Sequence, residues 1–448
     1  MSGAREREAV GIGLIGLGTI GTGVVKVLRN NAAVIEQRLG FPLELVRVAD
    51  IDTVRDRGVD LSGIRFDADS DGLVEDPRVD IAIELIGGYD AARRLILRAI
   101  EAGKHVVTAN KALLALHGKD VFDAAARRGV DIAFEASVAG GIPILRSLRE
   151  GLAANRIRSI HGILNGTSNY VLTEMEHTGE SFEVVLKRAQ DLGFAEADPH
   201  FDIDGIDAAH KLTLLATMAF GAELTFKEIP TEGIRALAPV DFDAAREFGH
   251  RIKLLAIAKA HPANGDPEGR IEVRVHPTLI PQSSLLASVD GAMNAVAVTG
   301  DAVGPTLFYG AGAGAMPTAS AIVADLIEIA REIRRGRAGR VAPLSYMPGK
   351  IEPKPLVPLG EVMARCYLRF TAVDRPGVLA HIAAVLGDNE IGIESVIQKG
   401  RGGAAKSVPV LVQTHPARER AVRRALEIIN RLPDVTAPTC LIRIEEDL

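Results

Sequence analysis

The sequence predicts an α/β protein: a doubly wound parallel sheet, a second α+β domain and a C-terminal ferredoxin-like βαββαβ unit. Three observations carry this reading: a glycine-rich turn between an apolar strand and a helix near the N-terminus, strand–helix alternation that continues to about residue 140, and a final six-element run after a proline-rich stretch. The length of 448 residues fits roughly three domains at about 150 residues each.

The first strand begins at Val10, where Val-Gly-Ile-Gly-Leu-Ile-Gly is too continuously apolar for a half-exposed strand and suits a parallel strand covered on both faces. After it, Ile20, Val24, Val27 and Leu28 recur at helical spacing. Leu43 to Ala49 forms a second strand and ends in Asp50. Ile81 to Ile86 forms a third, followed by a helix carrying Ala91, Leu95, Ala99 and Ile100. His105 to Thr108 and Val130 to Phe134 complete the pattern. Residues 1–140 are therefore assigned to the doubly wound unit, whose ligands lie at the carboxyl ends of the strands.

Alternation breaks down after Gly140-Gly141. Strands at Ile157 to Leu164 and Arg270 to Val275, with long amphipathic helices at Phe182 to Gly193 and Asp207 to Phe220, define an α+β domain over 141–310. A further helix spans Ala319 to Arg335. Pro343, Pro348, Pro353, Pro355 and Pro358 then mark 341–361 as a stiff linker. Within 362–448 follow strands at Ala364 to Ala372, Ile393 to Gln398, Val408 to Gln413 and Thr439 to Ile444, with helices at Val378 to Asp388 and Arg418 to Leu432.

Composition excludes several functions. Lys and Arg total 52 against 58 Asp and Glu, a net charge of −6 that offers no polyanion surface. Aromatic residues make up 4% and include no Trp, too few for base-stacking platforms, so no nucleic-acid partner is expected. Cys366 and Cys440 are the only cysteines, which rules out a disulfide framework or thiolate metal cluster and fits a reducing compartment. The start, Met1 to Glu8, is polar and unlike a signal peptide. The apolar run Leu212 to Ala222 falls short of the ~20 residues that span a bilayer. A cytoplasmic protein with no membrane partner is expected.

Gly16-Leu17-Gly18-Thr19-Ile20-Gly21 is G-x-G-x-x-G in its proper setting, after a strand and before a helix. Glycines there allow a tight turn and let backbone N–H groups and the helix N-terminus reach a pyrophosphate. Asp50, closing the next strand, suits an adenosine ribose and NAD. Arg47, Arg55 and Arg57 suit the 2′-phosphate of NADP, and both choices stay open.

The most informative segment runs from Glu196 to Lys211, where Glu196, Asp198, Asp202, Asp204 and Asp207 precede an apolar helix. A calcium loop fails, because its first and twelfth positions would be His200 and Lys211 where carboxylates are needed. A surface ion pair between Asp207 and Lys211 is the ordinary alternative. Against it, Leu212, Leu214, Leu215, Ala216, Met218 and Ala219 make the helix apolar on most faces. Burial there favours a neutral lysine, neighbouring carboxylates a charged one, and a base so balanced beside acids that grip an ammonium group suits an amino-acid substrate.

These residues, with Thr108-Ala109-Asn110-Lys111, the segment Glu135 to Gly141, Asn165-Gly166-Thr167-Ser168-Asn169-Tyr170 and Gly310-Ala311-Gly312-Ala313-Gly314, closely resemble homoserine dehydrogenase from about residue 10 to 335. The loop Asp374-Arg375-Pro376-Gly377-Val378-Leu379 resembles that of an ACT regulatory domain. The resemblance implies a Rossmann-type nucleotide domain completed by 311–340, a catalytic and dimerisation domain, and a regulatory ACT domain. It implies interconversion of L-homoserine and L-aspartate 4-semialdehyde with NAD or NADP, on the route to threonine, methionine and isoleucine.

By the same resemblance Lys211 is the acid/base, Asp207 orients it, and Lys111 is a second lysine near substrate and nicotinamide. Glu196 binds the substrate's amino group and Asp202 supports the pocket. The glycine turn, Asp50, Thr108, Lys111 and Gly314 bind the cofactor, and backbone carbonyls of Glu135, Val138, Gly140 and Ile142 hold a monovalent cation, sodium in the family. Many members carry Arg or Lys where this chain has Ala49, which tilts the balance toward NAD while keeping NADP. The ACT resemblance implies control by an amino acid, threonine as end product, and a homodimer or homotetramer.

A noncatalytic NAD(P)-binding metabolite sensor would not need Lys211 beside Asp207. A phosphorylating semialdehyde dehydrogenase needs a cysteine nucleophile, and both cysteines lie in the C-terminal unit. A fused kinase would need chain upstream of residue 10, and none is expected.

Overall fold

The computed structural model describes residues 8–263, 265–398 and 407–448; Met1 to Arg7 of the polar start lie outside the described residues. The chain divides into two compact units. The first comprises Met1–Ile157, His210–Glu228 and Thr299–Pro353, the second Arg158–Ala209, Ile229–Val298 and Lys354–Leu448.

The first unit is built on β1 (Val10–Ile15), β2 (Leu43–Ala49), β3 (Arg65–Asp67), β4 (Ile81–Glu84), β5 (His105–Thr108) and β6 (Ile132–Ala133). They lie in the order β3-β2-β1-β4-β5-β6, every neighbouring pair parallel. This is the expected doubly wound sheet. Every residue of β1 is buried, which explains its unbroken apolar run. The third strand ends at Glu84, not Ile86, because the Ile86 and Gly87 N–H groups turn back to donate to the Glu84 carboxylate. The short β3 was not anticipated, being three residues, Arg-Phe-Asp, beyond a polar loop.

The helix Ala315–Arg334 packs its buried Ala319, Ile322, Val323 and Leu326 into one cluster with Val24, Val25 and Leu28 of the helix Thr19–Asn30. Gly23 makes the approach possible: a Cβ there would stand 2.6 Å from the Ala315 carbonyl oxygen.

In the second unit come β7 (Ile157–Ile163), β8 (His250–Ala263), β9 (Asp266–Pro281) and β10 (Met293–Gly300); β11 (Gly304–Ala311) belongs to the returning segment of the first. The C-terminal part adds β12 (Met363–Val373), β13 (Ile393–Gln398), β14 (Ser407–Thr414), β15 (Ala417–Arg418) and β16 (Val435–Ile444), with helices Val378–Asp388 and Glu419–Ile429 in the expected βαββαβ order. One sheet runs β10-β7-β8-β9-β16-β12-β14-β13. The ferredoxin-like strands therefore extend the catalytic sheet, because β16 pairs parallel with β9 through Arg443 opposite Thr278 and Ile444 opposite Leu279. Their own core gathers Leu368, Phe370, Ile382, Leu386, Val412 and Val422.

The proline-rich stretch is bonded along its length. In the first unit Glu352 bridges Ala222, and in the second Leu356 bridges Ile271. No helix among the described residues is long and apolar enough to cross a membrane.

Candidate active site

The glycine turn lies where β1 passes into the helix Thr19–Asn30, and its three glycines answer to three constraints. Gly16 has φ +99°, and a Cβ would sit 2.7 Å from the Leu85 carbonyl. At Gly21 a Cβ would fall 2.1 Å from the Gly16 carbonyl oxygen, so the helix closes on the turn only with glycine. Gly18 faces open space, and no side chain caps the helix that Gly18 begins. A cavity of about 400 Å³ opens here, lined by Gly18, Thr19, Thr22 and Lys26, by Arg55 and Arg57, and by Ala315 and Met316. Gly314, φ +120°, begins the helix that supplies the last two.

Asp50 holds this turn together. Its carboxylate accepts the Leu17 N–H at 2.6 Å and the Asp52 N–H at 2.9 Å, and Arg57 lies 3.4 Å away. Of the three arginines offered for a 2′-phosphate, Arg47 is corrected: it is 2% exposed and bonded to Asp67 and Asp69, away from the cavity. Ala49 is wholly buried.

Lys111 opens the helix Lys111–Arg128, whose N-cap Asn110 accepts the Leu113 N–H. Thr108, buried at the end of β5, donates its hydroxyl to Glu84 at 2.7 Å and accepts the Asn110 N–H, while the Asn110 amide donates to the Gly88 carbonyl. Glu84, whose carboxyl pKa burial pushes up from the ordinary carboxylate range, was missed by sequence reasoning. Its only signal was a carboxylate closing an otherwise apolar strand.

Lys211 and Asp207 share the helix Ile206–Phe220, one turn apart, and both are buried, at 8% and 7% exposure. Next to Lys211, His210 packs its ring on Phe226, centroids 4.3 Å apart. The helix starts after Gly205, φ +81°, where a Cβ would stand 2.9 Å from the Thr231 methyl.

In the second unit Asp202 and Asp207 converge on one amide. Asn165 Nδ2 donates to Asp202 at 2.7 Å and to Asp207 at 2.8 Å, while Asn165 Oδ1 accepts the Ser168 N–H and caps the helix Gly166–Thr178. The hydroxyl of Ser168 donates to the Asp202 carbonyl. Glu196 stands apart, exposed, its carbonyl accepting from Gln190. Asp204, from the same acidic segment, pairs with Arg235 and His200.

The candidate cation segment is a buried turn. Ala139 and Gly140 both adopt left-handed backbone, φ +54° and +52°, and a Cβ on Gly140 would meet the Gly312 carbonyl oxygen at 2.5 Å. The Glu135 and Ile142 carbonyls accept from the Val138 and Ile144 N–H groups. Those of Val138 and Gly140, both buried residues, accept no hydrogen bond among the described residues. The Glu135 side chain points elsewhere, accepting the Leu145 and Arg146 N–H groups. No cluster of three or more His, Cys, Asp or Glu able to hold a metal occurs among the described residues, so an ion here depends on carbonyls.

Cys366 and Cys440 are buried in β12 and β16, and burial pushes both thiols up to about 12, far from a reactive thiolate.

Comparison with known proteins gives the family. Residues 143–327 match the family described as homoserine dehydrogenase, 16–135 its NAD binding domain, and 367–431 the ACT domain. A curated homoserine dehydrogenase of Neisseria gonorrhoeae is 47% identical over 98% of this chain and 99% of its own length. The crystal structure of a homoserine dehydrogenase from Thiobacillus denitrificans superposes with a TM-score of 0.91 at 48% identity, covering 98% of each chain. A hyperthermophilic archaeal homoserine dehydrogenase in complex with NADPH matches 72% of this chain and 97% of its own at 25% identity, TM-score 0.60.

Proposed function

Because this chain belongs to the homoserine dehydrogenase family, and is thereby an NAD(P)-dependent oxidoreductase with an ACT domain, we propose that it interconverts L-homoserine and L-aspartate 4-semialdehyde, with Lys211 moving the proton at the substrate oxygen. The observation that carries this reading is the buried pair Asp207 and Lys211 on one helix, the aspartate held by Asn165. The nicotinamide, when bound, accepts or returns hydride at the substrate's C4. Lys211 takes the hydroxyl proton during oxidation and returns it to the aldehyde oxygen during reduction, and Asp207 orients it from one turn away. Lys111, at the start of its helix, stabilises charge on the same oxygen. Glu196 binds the substrate ammonium, which its exposed position permits before substrate arrives, and Asp202 supports the pocket.

The cofactor is held by Gly16, Leu17, Gly18, Thr19, Ile20 and Gly21, with Asp50 at the ribose, Thr108 and Lys111 beside the nicotinamide, and Gly314 across the cleft. Against the lean toward NAD drawn from Ala49, Arg57 offsets the Asp50 charge, and Lys26 and Arg55 outnumber Asp56 in the same cavity, so this pocket favours NADP while leaving NAD usable. A monovalent cation, sodium by family resemblance, fits the carbonyls of Glu135, Val138, Gly140 and Ile142, where it would fix the turn. Threonine is the effector assigned to the loop at Gly377, and a homodimer or homotetramer in the cytoplasm is the assembly; β13, last in its sheet, leaves an edge open to a second copy.

The test measures NAD(P)H formation with L-homoserine. Native protein turns over, and Lys211→Ala falls by about 10²- to 10⁴-fold, the range for a positioned acid/base. Absence of native turnover, or an undiminished variant, refutes the assignment.

A further inference from the structure

Asn165 spends its whole amide on the acidic site. It is 5% exposed; both Nδ2 bonds go to carboxylates, at 2.7 Å to Asp202 and 2.8 Å to Asp207, and Oδ1 takes the Ser168 N–H at 2.7 Å. The partners lie 37 and 42 residues along the chain, so no local turn requires this arrangement. Two carboxylates brought to one group repel each other and tend to share a proton, which would leave one of them neutral. A neutral amide with two donors lets both stay ionised without adding a cation that would compete with the substrate's ammonium group.

Resting on the proposed roles of Asp202 and Asp207, we infer that Asn165 is a positioning residue for the reaction: its amide brackets the two carboxylates, fixes their spacing and keeps both charged. Asp207 then keeps a fixed, charged carboxylate in the first turn of the helix Ile206–Phe220, and Asp202 a fixed wall to the substrate pocket. Three further contacts hold the amide. The helix it caps is anchored by Asn169, which donates to the Val289 and Gly291 carbonyls, and by the Ser168 hydroxyl on the Asp202 carbonyl.

Asn165→Asp separates this role from simple capping. Aspartate is an equally good N-cap and keeps the oxygen that receives the Ser168 N–H, but it turns an oxygen instead of two N–H donors toward Asp202 and Asp207. Aldehyde reduction is followed from pH 8 to pH 6 beside native protein, with NADPH affinity and thermal melting as controls for fold. The expected result is a deficit of about 30- to 100-fold at pH 8 that shrinks at least tenfold by pH 6, as a proton shared among the three carboxyl groups restores one donor. A deficit that stays constant with pH overturns the inference, because a lost cap or a loosened helix has no such titration.

If Asn165→Asp does not fold, Asn165→Ser keeps a capping oxygen and one donor. The acid limb of its kcat/KM for homoserine then moves up by about one pH unit, since carboxylates that lose a donor protonate more easily; an unmoved limb overturns the inference. The proposed catalytic roles are checked separately with Lys211→Ala and Asp207→Asn. Full activity in those variants defeats the functional reading itself, whereas their loss together with a pH-independent Asn165 deficit defeats only the inference.

Discussion

Arg443, on β16, donates two hydrogen bonds to Glu232, at 2.8 and 2.9 Å, while its Nε donates to the buried Glu419 at 2.9 Å. Glu232 precedes Gly233, where a Cβ would stand 2.4 Å from the Ile203 carbonyl oxygen, and Ile234 donates its N–H to that same carbonyl. The ferredoxin-like strands are thus bonded to the backbone beside Asp202, as well as paired with β9. A run of bonds within one unit therefore joins the helix Glu419–Ile429 to the acidic segment.

Arg443→Met should destabilise the protein by about 1–3 kcal/mol, because Glu419, 1% exposed, would keep only Arg423, 2.8 Å away, against its charge. The double variant Arg443→Met with Glu419→Leu should recover most of that loss, since exchanging both partners for apolar groups removes the desolvation cost together with the attraction. Denaturant unfolding of the three proteins checks this. A double variant less stable than the single one would show that the network contributes net stability.

Gly21→Ala should abolish nucleotide binding and lower the melting temperature. The new Cβ, 2.1 Å from the Gly16 oxygen, forces the helix off the turn and displaces the N–H groups that would meet the pyrophosphate. Gly18→Ala, with open space around its Cβ position, should fold normally and weaken NADPH by about tenfold, through crowding of the ligand alone. Fluorescence titration with NADPH beside a melting curve distinguishes the two.

Much of the architecture was legible because its signals are local. β1, β2 and β5 are short apolar runs, and the glycine turn announces itself between strand and helix. The placement of Asp207 and Lys211 one turn apart on one helix follows from helical spacing. What escaped depends on partners far along the chain. The fourteen-residue β8 was missed because Arg251, Lys253, Lys259 and His261 interrupt its apolar pattern; these charges are met by Glu176, Asp290, Glu445 and Glu272 in the folded sheet. Arg47 resembled a phosphate ligand only until its burial against Asp67 and Asp69 was seen. Asn165, a neutral residue in a recognisable motif, shows its role only when Asp202 and Asp207 are placed against it.

Stability should fall as the pH drops below 6.5, with His161 as one cause. Burial lowers this imidazole to about 4 from an ordinary 6.5, and the residue is 1% exposed. Between those values the unfolded chain binds a proton that the folded chain refuses, so unfolding becomes easier as pH falls, by up to about 3 kcal/mol at pH 4. His276, buried and likewise lowered by desolvation, acts in the same direction. His161→Leu should flatten the unfolding free energy between pH 6.5 and 4 relative to native protein. An identical slope in both proteins would remove His161 from the account.

Cofactor preference should turn on Arg57. Its guanidinium lies 3.4 Å from Asp50 and it lines the cavity with Lys26 and Arg55, so it offsets the carboxylate that would otherwise repel a 2′-phosphate. In Arg57→Ala the Asp50 charge faces the ribose alone, and kcat/KM for NADP should fall by about 10- to 100-fold while that for NAD changes by less than about threefold. Lys26→Ala should lower NADP use in the same direction but less, because Lys26 contributes charge without pairing to Asp50. Asp50→Asn reverses the logic: it weakens NAD through the ribose contact and spares NADP. Steady-state rates with both cofactors decide the matter, and a loss shared equally by NAD and NADP in Arg57→Ala would reduce Arg57 to a support for the Asp50 turn.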